Sequence, residues 1–66
     1  MSGGAEETDV NILAIAHAAI AEFGSNAPEI MDKRADEHAY AGEIESYKMW
    51  HRVANAVREI LRRSTP

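Results

Sequence analysis

Apolar side chains in the C-terminal third of the sequence recur every three or four positions, and this period constrains the fold most. Between residues 47 and 61, one wide helix face comprises Tyr47, Met49, Trp50, Val53, Ala54, Val57, Ile60 and Leu61. The opposite side of the same helix carries Lys48, Arg52, Asn55, Glu59, Arg62 and Arg63. This pattern predicts one amphipathic helix, from about residue 43 to 63.

A second helix is predicted from about residue 9 to 23. Thr8 and Asp9 are favourable N-cap residues, and Gly24 can take the left-handed conformation that follows many helices. One broad arc of this helix is apolar and comprises Ile12, Leu13, Ile15, Ile20 and Phe23. We expect this arc to pack against the C-terminal helix.

The remaining predicted helix lies between these two, from about residue 27 to 41. Pro28 is favourable in its first turn, with Ser25 or Asn26 as the cap, and Gly42 ends it. Its best apolar face comprises Ala27, Ile30, Met31, Ala35 and Ala41. No stretch of the chain alternates apolar and polar residues over the length of a strand, so no sheet is expected.

These segments predict an all-α fold, a three-helix bundle with helices at about 9–23, 27–41 and 43–63. Residues 1–7 offer nothing to bury and are expected to form a disordered tail before one helical domain, 8–64. Because the first and last helices have the widest apolar faces, we expect them to be the main packing partners, with the middle helix crossing them. The short connections favour neighbouring, roughly antiparallel helices. Trp50 is the expected central anchor of the core.

The chain has 66 residues and no cysteine. This length holds one domain at most, and without cysteine neither a disulfide nor a thiolate metal site can stabilise it. The lack of cysteine favours a cytoplasmic location. The residues Met1–Gly4 have neither the basic nor the apolar region of a signal peptide, and no apolar run is long enough to span a membrane.

Charge is distributed unevenly along the chain. Residues 1–46 carry ten acids and two bases, a net of −8, whereas residues 47–66 carry five bases and one acid, a net of +4; together they give the net charge of −4. The five bases are Lys48, Arg52, Arg58, Arg62 and Arg63. They suggest nucleic-acid binding, but Glu43 and Glu45 stand where a recognition helix would meet phosphates.

The first helix has more apolar surface than one small helix pair can cover. Between residues 10 and 21 its only polar residues are Asn11 and His17. The surplus predicts a partner, most simply a second copy in a twofold homodimer, or another protein. Ala14, Ala18 and Ala21 form a candidate interface ridge where two helices could approach closely. The alternative is that alanine is simply a good helix former on an exposed face.

Arg34 and His38 lie one turn apart in the middle of the apolar face of the second helix. They are a candidate binding site for a carboxylate or a phosphate, because arginine recognises both groups. The alternative is structural. The stem of Arg34 can cover the core while its charged head stays in water or pairs with a carboxylate.

No motif points to catalysis, a cofactor or a metal. The histidines His17, His38 and His51 do not have the spacing of a metal site. Three acids of the second helix, Asp32, Asp36 and Glu37, lie beside Lys33 and are expected to form a solvated charged face. We therefore expect no catalytic, cofactor-binding or metal-binding residue, and no enzyme.

From Ala18 onward the chain resembles a group of small uncharacterised helical proteins of alphaproteobacteria. The residues that carry the resemblance are Phe23-Gly24, Arg34-Ala35, Gly42-Glu43 and Tyr47-Lys48-Met49-Trp50, followed by Val53, Ala56 and Val57. The resemblance implies a bacterial, cytoplasmic, helical protein and supplies no activity. Glu43 departs from the Gly-Asp turn of the group and is a weaker N-cap.

Taken together, these patterns favour a small non-enzymatic helical interaction module that binds another protein or associates with itself. The alternative is a nucleic-acid-associated regulator that uses the basic face of the last helix. An enzyme using Arg34 and His38 is the third hypothesis and has the least support.

Overall fold

The computed structural model describes the backbone of residues 3–64 and the side chains of residues 11–64. Its elements are α1 (Gly3–Phe23), a short 3-10 turn (Gly24–Asn26), α2 (Ala27–Tyr40) and α3 (Ile44–Ser64). Within the described backbone there is no strand, so the all-α prediction is confirmed. None of these helices combines the length and the apolarity needed to cross a bilayer.

The structure begins α1 earlier than the sequence suggested. The predicted start was Thr8 or Asp9, whereas α1 begins at Gly3. Ala5, Glu6 and Glu7 are residue types with high helix propensity, which explains why the helical backbone extends through them. The predicted disordered tail, residues 1–7, therefore overlaps α1 from Gly3 onward, and its first two residues lie outside the described part of the chain.

A left-handed glycine separates α1 from α2, as the sequence predicted. Gly24 has φ of +61°, and the chain then passes through the 3-10 turn directly into α2, so no non-helical residue stands between the two helices. Pro28 lies in the first turn of α2, as expected. Asn26 occupies the cap position, but its side chain makes no capping hydrogen bond.

The turn between α2 and α3 is a Schellman motif centred on Gly42. The amide of Glu43 donates to the carbonyl of His38 at 2.9 Å, and the amide of Gly42 donates to the carbonyl of Ala39 at 3.1 Å. Gly42 has φ of +80°, which this motif requires at its position. The carbonyl of Glu43 then accepts the first hydrogen bond of α3, from the amide of Tyr47 at 2.9 Å.

The core lies mainly along the contact between α2 and α3. Its buried residues are Ile12, Ala16 and Ala19 of α1, Ala27, Met31 and Ala35 of α2, and Val53, Ala54 and Val57 of α3. The most extensive helix contact is between α2 and α3, with a smaller one between α1 and α3. The prediction that α1 and α3 are the main partners is therefore wrong. The buried alanines of α2, one turn on either side of Met31, let its backbone come close to α3.

Trp50 occupies a different place from the one expected. The largest fully buried side chains are Met31, Val53 and Val57, and these form the centre of the core. Trp50 is half-buried and packs against this core from its edge. An edge position lets this large ring bury apolar area while part of it stays exposed.

Replacing Met31 by alanine should remove most of the stability of the fold. Truncating a fully buried methionine costs about 2–5 kcal/mol, and a small domain can have as little as about 5 kcal/mol in total. The exposed Ile44 gives the matched control, since Ile44→Ala should cost about 1 kcal/mol or less. Chemical denaturation followed by circular dichroism checks both variants. Equal midpoints for the two would contradict the placement of the core.

Gly42→Ala should destabilise the fold through backbone conformation alone. A Cβ at this position would meet no atom within 4 Å, so no steric clash is involved. A left-handed L-residue costs about 1–2 kcal/mol. D-alanine prefers this conformation, so a chemically synthesised chain with D-alanine in place of Gly42 should be at least as stable as the natural one. Thermal denaturation of both chains provides the measurement, and equal losses in both would refute this reasoning.

Candidate functional site

Arg34 and His38 of α2 both contact Trp50 of α3. The Arg34 guanidinium carbon lies 5.5 Å from the centre of the indole. The His38 ring stacks on the same indole, with ring centres 6.3 Å apart and ring planes within 10° of parallel. The two residues that the sequence singled out are thus brought together on one aromatic ring. The third member, Trp50, was predicted as a core anchor and not as part of this cluster.

His38 is also tied to the turn that follows α2. Its Nδ1 lies 2.5 Å from Oε1 of Glu43. The carboxylate has no proton to give, so the imidazole donates. His38 and Glu43 are the two Schellman positions whose side chains often make an apolar contact. Here a charge-assisted hydrogen bond takes its place, and it fixes the His38 ring between the turn and the indole.

An open groove of about 310 Å³ runs beside this cluster. It is lined by Ile30, Lys33, Arg34, Glu37, His38 and Trp50. Within the described residues, Arg34 makes no ion pair with a carboxylate, although Glu37 lines the same groove. The indole therefore holds the guanidinium where the sequence allowed a carboxylate to do so. An exposed contact of this kind contributes about 0.5–1 kcal/mol.

The three alanines of the candidate interface lie on the exposed side of α1. Ala14, Ala18 and Ala21 are all exposed, and Leu13 beside them is 49% exposed. The buried positions of the same helix are Ile12, Ala16 and Ala19. The exposed side of α1 therefore carries four uncovered apolar residues, together with the polar residues Asn11, His17 and Glu22.

Two acids of the domain pair with three of the five cations of α3. Arg58 forms an ion pair with Asp32 of α2. Arg62 and Arg63 both donate to Oε2 of Glu59, at 2.6 and 3.0 Å. Among residues 11–64, Lys48 and Arg52 are the two cations of this face without an ion pair. The contact between Asp32 and Arg58 was missed because it joins residues 26 positions apart, whereas the sequence reading placed Asp32 on a solvated face beside Lys33.

The other two histidines lie apart from the cluster. His17 is exposed. His51 is exposed as well and stacks on Tyr47 with ring centres 5.9 Å apart. In the described part of the chain, no group of three or more histidine, cysteine or acidic side chains is arranged to hold a metal ion.

Comparison with protein-family models, curated proteins and solved structures found no match for this chain. The resemblance to small alphaproteobacterial proteins therefore stays a prediction. What the chain does has to be inferred from its own geometry and charges.

The paired arginines at the end of α3 should be visible in the titration of Glu59. Hydrogen bonds from Arg62 and then Arg63 hold the pKa of this carboxyl below its usual value. The ionised form is favoured in the fold, so its contribution to stability is present above the usual carboxyl pKa and is lost as pH falls through the lowered one. Arg62→Met should raise the pKa of Glu59 more than Arg63→Met does. Carboxyl NMR titration measures it, and an unchanged Glu59 pKa in both variants would contradict the assignment.

Proposed function

We propose that this chain is a small, non-enzymatic helical interaction module that associates with a second copy of itself through the exposed side of α1. The observation that carries the proposal is the set of apolar residues on the exposed side of α1, in addition to those on its buried side. A surface helix of a globular protein normally places polar residues toward water. Here Leu13, Ala14, Ala18 and Ala21 stand there, beside the polar residues Asn11, His17 and Glu22.

The modest core supports the same proposal. Among the described side chains, only Met31, Val53 and Val57 are large and fully buried. Domains of this size bury a smaller fraction of their surface than larger domains do and commonly need oligomerisation or another stabilising device. A second copy covering α1 would add buried apolar area where the single chain leaves it in water.

A twofold arrangement is the simplest closed assembly for such a surface. In a twofold dimer the same patch is used by both copies, so one self-complementary helix face is sufficient. The alanine spacing of four and three residues keeps Ala14, Ala18 and Ala21 on one stripe. Side chains this small let two helix backbones approach each other closely.

We also propose that α1, α2 and α3 form one three-helix bundle. The protein then works in the bacterial cytoplasm, as a member of the alphaproteobacterial group it resembles. The cysteine-free sequence agrees with a reducing compartment.

A nucleic-acid-associated regulator is the second candidate. The exposed Lys48 and Arg52, which pair with no acid among the described residues, favour it. Three other cations of α3 share two acids, Asp32 and Glu59, so part of the positive charge of this face is compensated within the domain. Binding to duplex DNA that weakens as salt rises would support this candidate over self-association.

Sedimentation of the natural chain at micromolar concentration tests the main proposal. We expect a species of twice the 7.3 kDa mass of one chain. Ala18→Glu should give monomers with unchanged helical circular dichroism, because it places a charge in the proposed interface. Ala39→Glu changes an exposed alanine of α2 and should leave the dimer intact. A natural chain that sediments as a 7.3 kDa monomer would overturn the proposal.

A further inference from the structure

The groove beside Trp50 is lined by two cations that have no acidic partner. Lys33 and Arg34 are neighbours on α2, both are exposed, and neither forms an ion pair within residues 11–64. In the same part of the chain the Arg34 guanidinium donates no hydrogen bond, so its N–H groups are available to a ligand. Two neighbouring cations of this kind attract an anion.

Arg34 is held in position before any ligand arrives. Its guanidinium lies over the indole of Trp50, and His38 on the same indole is itself fixed by Glu43. A guanidinium presents a planar fork of donors that matches a carboxylate. Because the fork is already placed, binding an anion costs less side-chain entropy than it would for a free arginine.

The remaining walls of the groove select among anions. Ile30 and Trp50 supply apolar and aromatic surface next to the cations. Glu37 lines the groove as well, so two cations and one carboxylate leave a net charge of +1, counting His38 as neutral. A single negative charge matches this balance better than the two charges of a phosphate.

We infer that this groove binds a monoanionic carboxylate carried on an aromatic ring, with the carboxylate on Arg34 and Lys33 and the ring against Trp50 and Ile30. This site is separate from the proposed self-association surface on α1, and neither proposal depends on the other. The groove is open to solvent, so we expect a dissociation constant on the order of 1 mM for a one-ring ligand.

Benzoate is the probe, and Trp50 reports its binding because it is the only tryptophan of the chain. At constant ionic strength, benzoate should change the indole fluorescence saturably. Acetate, which lacks the ring, and benzyl alcohol, which lacks the charge, should both bind more weakly. NMR shifts of the Ile30 methyl groups give a second readout that does not depend on the environment of the indole.

Four variants separate this site from general charge attraction. Arg34→Met should weaken benzoate binding about tenfold, the usual effect of losing a hydrogen bond to a charged group. Arg34→Lys keeps the charge but loses the planar fork, so an intermediate loss is expected. Glu37→Gln removes the opposing charge and should tighten binding. Arg52→Met is the matched control, an exposed and unpaired cation of α3 outside the groove, and should leave the affinity unchanged.

The inference is overturned by a response that does not saturate, or by equal affinities for benzoate and acetate. It is also overturned if Arg52→Met weakens binding as much as Arg34→Met, or if Glu37→Gln weakens it. Circular dichroism of each variant establishes that it is folded. Should Arg34→Met fail to fold, Arg34→Lys and Glu37→Gln still decide the question, because their expected effects have opposite signs.

Discussion

The fold depends on how closely α2 and α3 approach each other. Ala27, Met31 and Ala35 recur every four residues on α2 and are all buried, so one large side chain is flanked by two small ones. Met31 fills the space against the fully buried valines of α3. Three other features join the same two helices and depend on this contact for their geometry. They are the turn at residues 41–43, the ion pair between Asp32 and Arg58, and the cluster on Trp50. The contact of α1 with α3 is less extensive.

Local signals allowed much of the fold to be predicted. The three-to-four-residue period of α3 and the two glycines at helix ends act over one or two turns, and the structure has them where the sequence indicated. Which helix packs most extensively on α3 is not a local property. It depends on how near two helix backbones come, and the small buried alanines of α2 allow a close approach that a count of large apolar residues does not reveal. The early start of α1 follows from the helix propensity of residues 5–7, which outweighs the two glycines in its first turn.

The candidate site was predicted in part, for the same reason. Arg34 and His38 were conspicuous as polar residues in an apolar stripe, a feature that is visible within one helix. Their contact with Trp50 joins two helices, and the bond from His38 to Glu43 depends on the geometry of the Schellman turn. The ring of His38 makes both contacts at once. Its aromatic face stacks on the indole of Trp50, and its Nδ1 donates to the carboxylate of Glu43. An apolar residue could provide the first contact but not the second.

The distribution of charge connects these features. The acidic first part of the chain and the basic last part meet within the fold where Asp32 pairs with Arg58, so one pair of opposite charges joins α2 and α3. Exposed pairs of this kind contribute little to stability, about 0–1 kcal/mol each. Their main effect is on recognition, because a paired arginine attracts phosphate less than a free one. The surfaces that we propose for binding are the exposed apolar residues of α1 and the unpaired cations beside Trp50, and these differ in the chemistry of the partner they can accept.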